Sequence, residues 1–256
     1  MKPLTGRGIV ITRPAAESAR ITELVRTAGG NPILFPGIAI VAIEDTASLM
    51  ALIDRLDWFE IAIFVSPSAV NMAFSFIEPR RALPPTLQIA AIGASSVRAL
   101  QRHGVQEVMA PTERFDSEAL LELSLLQNVR GKHIVIFRGV GGRELLADTL
   151  TARGAQIEYA ECYRREKPAL DPAPLFVAWE RGELHAITAT SSEALRNLFE
   201  IVGTRGATHF KNTPCFVSHP RIEEVARALG IAQVVLTGQG DERLAQGLIS
   251  WFSAHS

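Results

Sequence analysis

The sequence predicts an α/β protein with two doubly wound parallel sheets. Two observations support this prediction. Short, wholly apolar segments alternate with amphipathic segments of helical period, and this pattern occurs twice within the 256 residues. Strands that alternate with helices form parallel sheets with right-handed crossovers. A chain of this length also suits two domains better than one.

The repeat is an internal duplication with a nearly constant shift. Residues 6–13 align with 131–138, 63–66 with 188–191, and 97–104 with 223–230. One shift that explains three separate blocks indicates two copies of one unit, at about residues 6–111 and 131–237. Taken alone, the duplication predicts two domains that are each one continuous segment, with a boundary near residue 125.

Each element of the first copy follows from its pattern. Residues 9–11 are a short apolar strand, and 17–27 form an amphipathic helix that ends before Gly29. Residues 61–65 are apolar on both faces, as in a central parallel strand. Ser68 is then expected to cap a helix that begins near Ala69.

The remaining elements complete the two copies. In the first, a strand at 89–92 leads to the amphipathic residues 97–103. The second copy repeats the strands at 134–137, 186–190 and 215–217. Two further strand-like runs, 36–41 and 157–164, fit no helix, and we expect them to pair as strands that link the domains.

Small hydroxylated residues or glycines follow the predicted strands at equivalent places in both copies. Ligands bind beyond the carboxyl ends of parallel strands, where free N–H groups and helix dipoles favour carboxylates or phosphates. Any one of these residues could simply cap a helix, but their repetition favours a ligand cleft between the domains. These turn residues are Thr12, Arg13, Ser66, Ser68, Gly93, Ser95, Ser96, Arg138, Gly139, Thr190, Ser191, Ser192 and Ser218.

The run from Arg138 to Arg143 is superficially similar to a dinucleotide-binding loop. Glu144, however, occupies the position of the third glycine of that pattern. We therefore interpret the run as a tight turn that brings Arg138 and Arg143 to an acidic ligand, since a guanidinium group donates two parallel hydrogen bonds to a carboxylate.

The composition excludes several classes of protein. A net charge of −1 lacks the basic character of nucleic-acid binders. The two cysteines, Cys162 and Cys215, and the scattered histidines have no metal-ligand spacing. No signal-peptide core or membrane span is visible, so we expect a cytoplasmic protein without membrane contact.

Few candidates remain for acid–base chemistry. Tyr163 lies near the end of the strand-like run 157–164, where a phenol could donate a proton or a hydrogen bond to a substrate. Tyrosines in strands also commonly serve only to pack, and this alternative stays open.

Several short motifs, taken in their order, resemble the uroporphyrinogen-III synthase family. They are ITRP at 11–14, FVSPSAV at 64–70, AIG at 91–93, RGA at 153–155, CYR at 162–164 and ATSSEAL at 189–195. The resemblance covers nearly the whole chain. The usual Thr after AIG is replaced by Ser95 and Ser96, which leaves open which serine takes its role.

The resemblance implies two flavodoxin-like domains joined by a two-stranded linker. The first domain is discontinuous and combines residues 1–36 with 168–256. The second is inserted and spans 44–160, and the linker strands are 37–43 and 161–167.

The implied reaction converts hydroxymethylbilane to uroporphyrinogen III in heme biosynthesis, with loss of water and inversion of ring D. It is a cyclising hydro-lyase reaction that needs no metal or cofactor. By this resemblance, Tyr163 assists departure of the hydroxyl. The turn residues hold substrate carboxylates largely through backbone N–H groups, with Arg13, Arg138 and Arg143 as charge partners.

The implied partner is a small molecule, the linear tetrapyrrole, with transient contact to the preceding pathway enzyme and a monomeric state. Two alternatives compete with this assignment. A two-lobed sensor could bind an acidic ligand without reacting it, although it would usually be secreted or carry a DNA-binding segment. A phosphosugar isomerase would need a Glu, Lys or His base that these turns lack.

Overall fold

The predicted α/β fold with parallel sheets is confirmed. The structure, a computed structural model, describes residues 2–142 and 144–255. Its strands are β1 (Gly8–Ile11), β2 (Asn31–Leu34), β3 (Ala39–Ala42), β4 (Ile61–Phe64), β5 (Gln88–Ala91), β6 (His133–Gly139), β7 (Gln156–Glu166), β8 (Leu184–Ala189), β9 (Cys215–Val217) and β10 (Val234–Leu236).

Helices connect most of these strands, as parallel pairing requires. They are α1 (Ala19–Thr27), α2 (Ala47–Asp54), α3 (Pro67–Ile77), α4 (Ala94–Arg102), α5 (Ser117–Leu121), α6 (Ser124–Gln127), α7 (Leu145–Ala152), α8 (Ala173–Glu180), α9 (Ser192–Asn212), α10 (Pro220–Ala228) and α11 (Asp241–Ala254). Short 3-10 turns occupy Ala15–Glu17 and Leu56–Trp58. Helix α9 is broken at Gly203, whose φ of 59° departs from helical geometry.

The chain divides into two compact units. The first combines the described residues up to Ala39 with those from Glu166 onward, and the second runs from Ile40 to Arg165. The sheet of the first unit has the order β10-β9-β8-β1-β2, and that of the second has the order β3-β7-β6-β4-β5.

The first unit buries both faces of its sheet. Val10 of β1 packs into a cluster with Leu198 and Phe210, whereas Ile9 and Ile11 pack on the other side with Phe216. Alternate residues of a strand point to opposite faces. A central strand covered by helices on both sides must therefore be wholly apolar, as β1 is.

The second unit is built in the same way. Ala62 and Phe64 of β4 belong to one cluster, and Ile61 and Ile63 belong to the other. Phe64 stacks on Phe137 of β6 with ring centroids 4.6 Å apart. This apolar layer supports the carboxyl ends of β4 and β6.

The continuous boundary near residue 125 is wrong. Strand β1 pairs with β8, and β4 pairs with β6, so each sheet takes strands from both copies of the duplication. Because the two copies carry similar apolar patterns, the pattern alone cannot choose between pairing within one copy and pairing between the two copies.

Within residues 2–142 and 144–255, none of the helices combines the length and the apolar character needed to cross a bilayer.

Candidate functional site

Four strands of the second unit bring their carboxyl ends to one edge of the sheet. A pocket of about 130 Å³ opens there. It is lined by Val65, Ile92, Ser117, Ile136, Arg138, Gly139, Gly141, Gly142, Leu146, Tyr159, Tyr163 and Arg165. Of the residues predicted from the sequence, the pocket brings together Arg138, Gly139 and Tyr163. Arg143 lies outside the described residues.

Ser66 lies between the end of β4 and the start of α3. Its backbone is extended, and its Oγ accepts a hydrogen bond of 3.0 Å from the Ala69 N–H. Ser66 is therefore the N-cap, and the prediction that Ser68 caps this helix is wrong. Pro67 is the reason, because its fixed φ suits the first helical position and its missing N–H costs nothing there. Ser68 is buried in the first turn of α3.

A bulge in β7 sets the face of the sheet on which Tyr163 packs. Arg138 pairs with Glu161, but Gly139 pairs with Tyr163, so Cys162 is an extra residue in β7. A bulge of this kind re-aims the side chains that follow it. Tyr159, before the bulge, packs beside the cluster of Ile134. Tyr163 packs in the other cluster, which contains the residues of α3.

The Tyr163 side chain is held on several sides. Its Oη lies 3.1 Å from the Oγ of Ser66, and the residue is only 3% exposed. Its ring lies so close to Gly139 that a Cβ there would come within 2.7 Å of Cε2. The Val140 N–H donates to the Tyr163 carbonyl at 2.7 Å. The phenol is therefore fixed at the edge of the sheet where the pocket opens.

Arg138 organises the loop that follows β6. Its Nε donates to the carbonyls of Gly139 and Gly141, at 3.2 and 3.0 Å. Its guanidinium group also lies 4.4 Å from the centre of the Tyr159 ring. Arg138 is 5% exposed, so it folds the glycine loop around itself and puts positive charge into the pocket wall.

Glu144 completes this cluster. Its carboxylate lies 3.3 Å from Nη1 of Arg138 and accepts a short hydrogen bond from the Tyr159 hydroxyl. That hydrogen bond is the main reason why the pKa of Glu144 is lowered. Desolvation, followed by the Glu144 contact, raises the pKa of Tyr159 to about 12. Tyr159 is thus a protonated donor that is already engaged.

The turn after β5 shows different environments for its two serines. Ser96 is buried, and its N–H donates to the Gly93 carbonyl at 2.9 Å. Ser95 is partly exposed, and its Oγ accepts a hydrogen bond from Arg98 at 3.0 Å. A Cβ at Gly93 would meet the Phe115 side chain at 3.2 Å. Glycine therefore lets the segment that carries Phe115 and Ser117 approach the turn.

The first unit gathers the other predicted residues at the strand ends of its own sheet. Nε of Arg13 donates to Thr190 Oγ1 at 3.0 Å, and its Nη1 lies 2.8 Å from Oδ1 of Asp241. The geometry of the latter contact is that of an ion pair rather than an aligned hydrogen bond. The Thr12 hydroxyl is buried and donates to the Thr188 carbonyl at 2.8 Å.

The remaining turns of the first unit carry helix caps. Ser191 Oγ accepts from the Ala194 N–H at 3.3 Å, which caps α9. The Ser192 hydroxyl is buried without a hydrogen-bond partner among the described residues, and Ser218 is buried after β9. His219 caps α10 through its ring Nδ1, 3.2 Å from the Arg221 N–H, which is a structural role.

Sequence reasoning missed Glu144, Tyr159 and Asp241. Tyr159 and Glu144 flank the predicted residues, but the bulge and the loop geometry that join them leave no pattern in the sequence. Asp241 follows Gly238 and Gly240, whose φ values of 88° and 98° mark a tight turn before α11. That glycine pair was the signal that could have identified it.

Within the two described stretches of the chain, no group of three or more His, Cys, Asp or Glu side chains could hold a metal ion. Burial raises the pKa of both Cys162 and Cys215 to about 12, so neither thiol is a ready nucleophile.

Comparisons with known proteins are consistent with each other. A family model described as uroporphyrinogen-III synthase HemD matches residues 19–244. The uroporphyrinogen-III synthases of Escherichia coli K12 and Salmonella typhimurium LT2 are each 32% identical over 235 residues. That alignment covers 91% of this chain and 96% of each relative.

Solved structures match the fold. A mutant uroporphyrinogen III synthase from Thermus thermophilus aligns with a TM-score of 0.61 at 20% identity, over 97% of this chain and 98% of that one. The enzyme named uroporphyrinogen-III synthetase from Helicobacter pylori 26695 aligns with a TM-score of 0.58 at 14% identity, over 96% and 99% of the two chains.

Proposed function

The chain belongs to the uroporphyrinogen-III synthase family, and from this premise we propose that it closes hydroxymethylbilane to uroporphyrinogen III with Tyr163 as the proton donor. The reaction is a cyclising loss of water in heme biosynthesis. The linear tetrapyrrole loses its terminal hydroxyl, forms a spiro intermediate, and recloses with ring D inverted.

One observation carries the assignment of Tyr163. Tyr163 lines a pocket at the strand ends of the second unit, and its hydroxyl lies 3.1 Å from the Oγ of Ser66. The electron-rich pyrrole expels the hydroxyl, which leaves as water if a proton is delivered to its oxygen. A fixed phenol can supply that proton. Tyr159 is the other tyrosine of the chain, and its hydroxyl is committed to Glu144.

To bind the substrate carboxylates, the protein needs hydrogen-bond donors and positive charge rather than a catalytic base. The predicted turn residues supply these hydrogen-bond donors largely through backbone N–H groups, and Arg13 and Arg138 add positive charge. The turn residues are Thr12, Ser66, Ser68, Gly93, Ser95, Ser96, Gly139, Thr190, Ser191, Ser192 and Ser218. Support comes from the helices that begin beside these residues, among them α3, α4 and α9. Binding of this kind holds the linear tetrapyrrole in a folded shape that can react.

We also propose that the two units are flavodoxin-like domains. The order β2-β1-β8-β9-β10 of the first sheet corresponds to the flavodoxin strand order. In the second sheet, β5-β4-β6-β7 follows the same order, with β3 as an additional neighbour of β7. On this view the linker consists of 37–43 and 161–167, between a first domain of 1–36 with 168–256 and a second of 44–160.

The test uses purified protein and enzymatically generated hydroxymethylbilane. Replacement of Tyr163 by Phe should lower kcat by about a hundredfold, in the range that a positioned acid contributes, with unchanged folding. Tyr159→Phe is the matched control and should cost much less, because it removes a hydroxyl that is bound to Glu144.

Two outcomes would contradict the proposal in different ways. If the wild-type protein yields only the slow, spontaneous, non-inverted isomer, the synthase activity itself is refuted. If Tyr163→Phe forms uroporphyrinogen III at the wild-type rate, Tyr163 is removed from the mechanism while the activity stands.

A further inference from the structure

The hydroxyl of Ser66 faces two groups at once. It accepts the Ala69 N–H at 3.0 Å as the N-cap of α3, and it lies 3.1 Å from the Tyr163 hydroxyl. Between two hydroxyls, either oxygen can be the donor. Which one donates decides what Tyr163 can do.

The proposed role of Tyr163 requires one direction for this hydrogen bond. Tyr163 has a single hydroxyl hydrogen. If that hydrogen were donated to Ser66, it could not be delivered to a leaving hydroxyl. A hydrogen bond that Ser66 donates to Tyr163 does not use the phenol hydrogen, and it stabilises the negative charge that develops on the phenol oxygen as the proton departs.

We propose that Ser66 is a positioning residue that donates a hydrogen bond to Tyr163 and so directs the phenol hydrogen toward the substrate. This inference rests on the proposed role of Tyr163. The Ala69 contact makes the arrangement possible, because it occupies an acceptor site of Ser66 and fixes Oγ at the start of α3.

The two roles of Ser66 can be separated with three variants. Ser66→Thr keeps both the cap and the donor. Ser66→Asp keeps the cap, since Asp is a preferred N-cap residue, but a carboxylate can only accept and would draw the phenol hydrogen to itself. Ser66→Ala loses both.

A cap control comes from the same unit. The exposed Asp45 carboxylate accepts a hydrogen bond of 2.9 Å from the Ala47 N–H at the start of α2. Asp45→Ala removes a comparable helix-end contact away from Tyr163. Because this contact is exposed, the variant should lower the melting temperature less than Ser66→Ala does, while kcat stays at the wild-type value.

The expected result is a loss in kcat of about tenfold or more for Ser66→Ala and Ser66→Asp, as for the loss of a hydrogen bond to a charged oxygen. Ser66→Thr should keep most of the rate. Because an added carboxylate also repels a polyacidic substrate, Ser66→Asp is judged on kcat at saturating substrate and not on KM.

A double-mutant cycle with Tyr163→Phe shows whether Ser66 affects the rate through Tyr163. When Tyr163→Phe is already present, Ser66→Ala and Ser66→Asp should cause almost no further loss. An equal loss with and without Tyr163→Phe would show that Ser66 acts directly on the substrate and would overturn the inference. So would a wild-type kcat in Ser66→Ala, or a Ser66→Thr variant as slow as Ser66→Ala.

The same cycle separates the two proposals. If Tyr163→Phe alone keeps the wild-type rate, the role of Tyr163 fails and the role of Ser66 fails with it. If Tyr163→Phe is slow but the Ser66 effects add to it, only the Ser66 inference fails.

Discussion

At the residue scale, the two tyrosines of β7 show how one extra residue in a strand redirects a side chain. Strict alternation would place Tyr159 and Tyr163 on one face of the sheet, since they are four residues apart. The extra residue Cys162 breaks that alternation, and the tyrosines enter different apolar clusters. Tyr163 thereby reaches Ser66, while Tyr159 reaches Glu144.

Gly139 is the residue on which the placement of Tyr163 depends most directly. A Cβ at Gly139 would lie 2.7 and 2.8 Å from Cε2 and Cζ of the Tyr163 ring. We expect Gly139→Ala to displace the ring, to lower the free energy of unfolding by about 1–3 kcal/mol, and to lower kcat. Chemical denaturation and the cyclisation assay measure the two effects.

Gly141→Asn serves as the stability control in the same loop. Its φ of 70° is one that Asn tolerates, and a Cβ there meets no atom within 4 Å. The interpretation would fail if Gly139→Ala were as stable and as active as the wild type.

Residue types at the site could be predicted from the sequence, but their partners could not. The strand-end rule identified Ser66, Arg138 and Gly139 because parallel strands end at one edge. It could not show that Arg138 folds its own loop or that the Thr12 hydroxyl is buried in the sheet. Those facts depend on loop geometry and on hydrogen bonds between segments far apart in the chain.

At the element scale, the start of α11 is tied to the ends of β1 and β8. Arg13 follows β1, Thr190 follows β8, and Asp241 is the first residue of α11. The side chains of Arg13 and Asp241 are 16% and 2% exposed. A largely buried ion pair is costly to break from one side, because the remaining charge loses its partner.

The Arg13–Asp241 pair predicts a large effect of Asp241→Asn. We expect a loss of about 3 kcal/mol in the free energy of unfolding. This value is at the lower end of the range for removing one partner of a buried ion pair, because Arg13 is partly exposed. Glu242→Gln is the matched control. It removes a charge from the same helical turn, but its contact with Arg20 is exposed, so we expect less than about 1 kcal/mol. Equal losses, measured by chemical denaturation, would refute the structural role of the pair.

Strands β1 and β8 are joined through a second bulge. Gly8 pairs with Leu184 and Ile9 with Ala186, which leaves His185 as the extra residue. The ring Nδ1 of His185 accepts the Gly8 N–H at 3.1 Å. A Cβ at Gly8 would lie 1.9 Å from the Glu183 carbonyl oxygen, so the close approach requires glycine.

This arrangement predicts a pH dependence of stability. Burial lowers the pKa of His185 in the folded chain, and a protonated Nδ1 can no longer accept from Gly8. The unfolded chain then binds the proton more readily than the folded one. The contribution of His185 is therefore complete above about pH 6.5 and decreases as the pH falls through the lower, folded pKa.

His185→Asn isolates this contribution, since Asn offers an acceptor that does not titrate. Between about pH 7.5 and 5.5, a window that brackets the ordinary histidine pKa, the melting temperature of the wild type should fall further than that of the variant. Parallel curves for the two proteins would show that His185 does not contribute.

Strands were easier to predict than helix ends. Short runs that are apolar on both faces identified β4, β6 and β9 within one or two residues. The start of α3 was misplaced because Ser66 and Ser68 are both good caps, and only the role of Pro67 separates them. The break in α9 at Gly203 has no clear signal in the sequence, because a glycine in a helix can also be tolerated without a bend.

At the scale of the whole molecule, the pairing of duplicated strands is the feature that local patterns do not determine. Strand β1 has the same apolar character as β6, and β4 the same as β8. The resemblance to a family, rather than the periodicity, pointed to an exchange of segments.

The observed division into units makes a prediction about folding. The second unit, from Ile40 to Arg165, contains nearly its whole sheet and both of the clusters that cover it. We expect residues 40–165, expressed alone, to fold and to melt cooperatively, because a domain with its own core can fold independently.

The first unit should behave differently, because its sheet is assembled from two distant segments. In residues 2–39 alone, β1 would lack β8, its central neighbour, and the cluster around Val10 would lose Leu198 and Phe210. We therefore expect that fragment to stay unfolded by circular dichroism, and to gain structure only when residues 166–255 are added. A folded 2–39 fragment, or an unfolded 40–165 fragment, would show that the compact units are not the folding units of the chain.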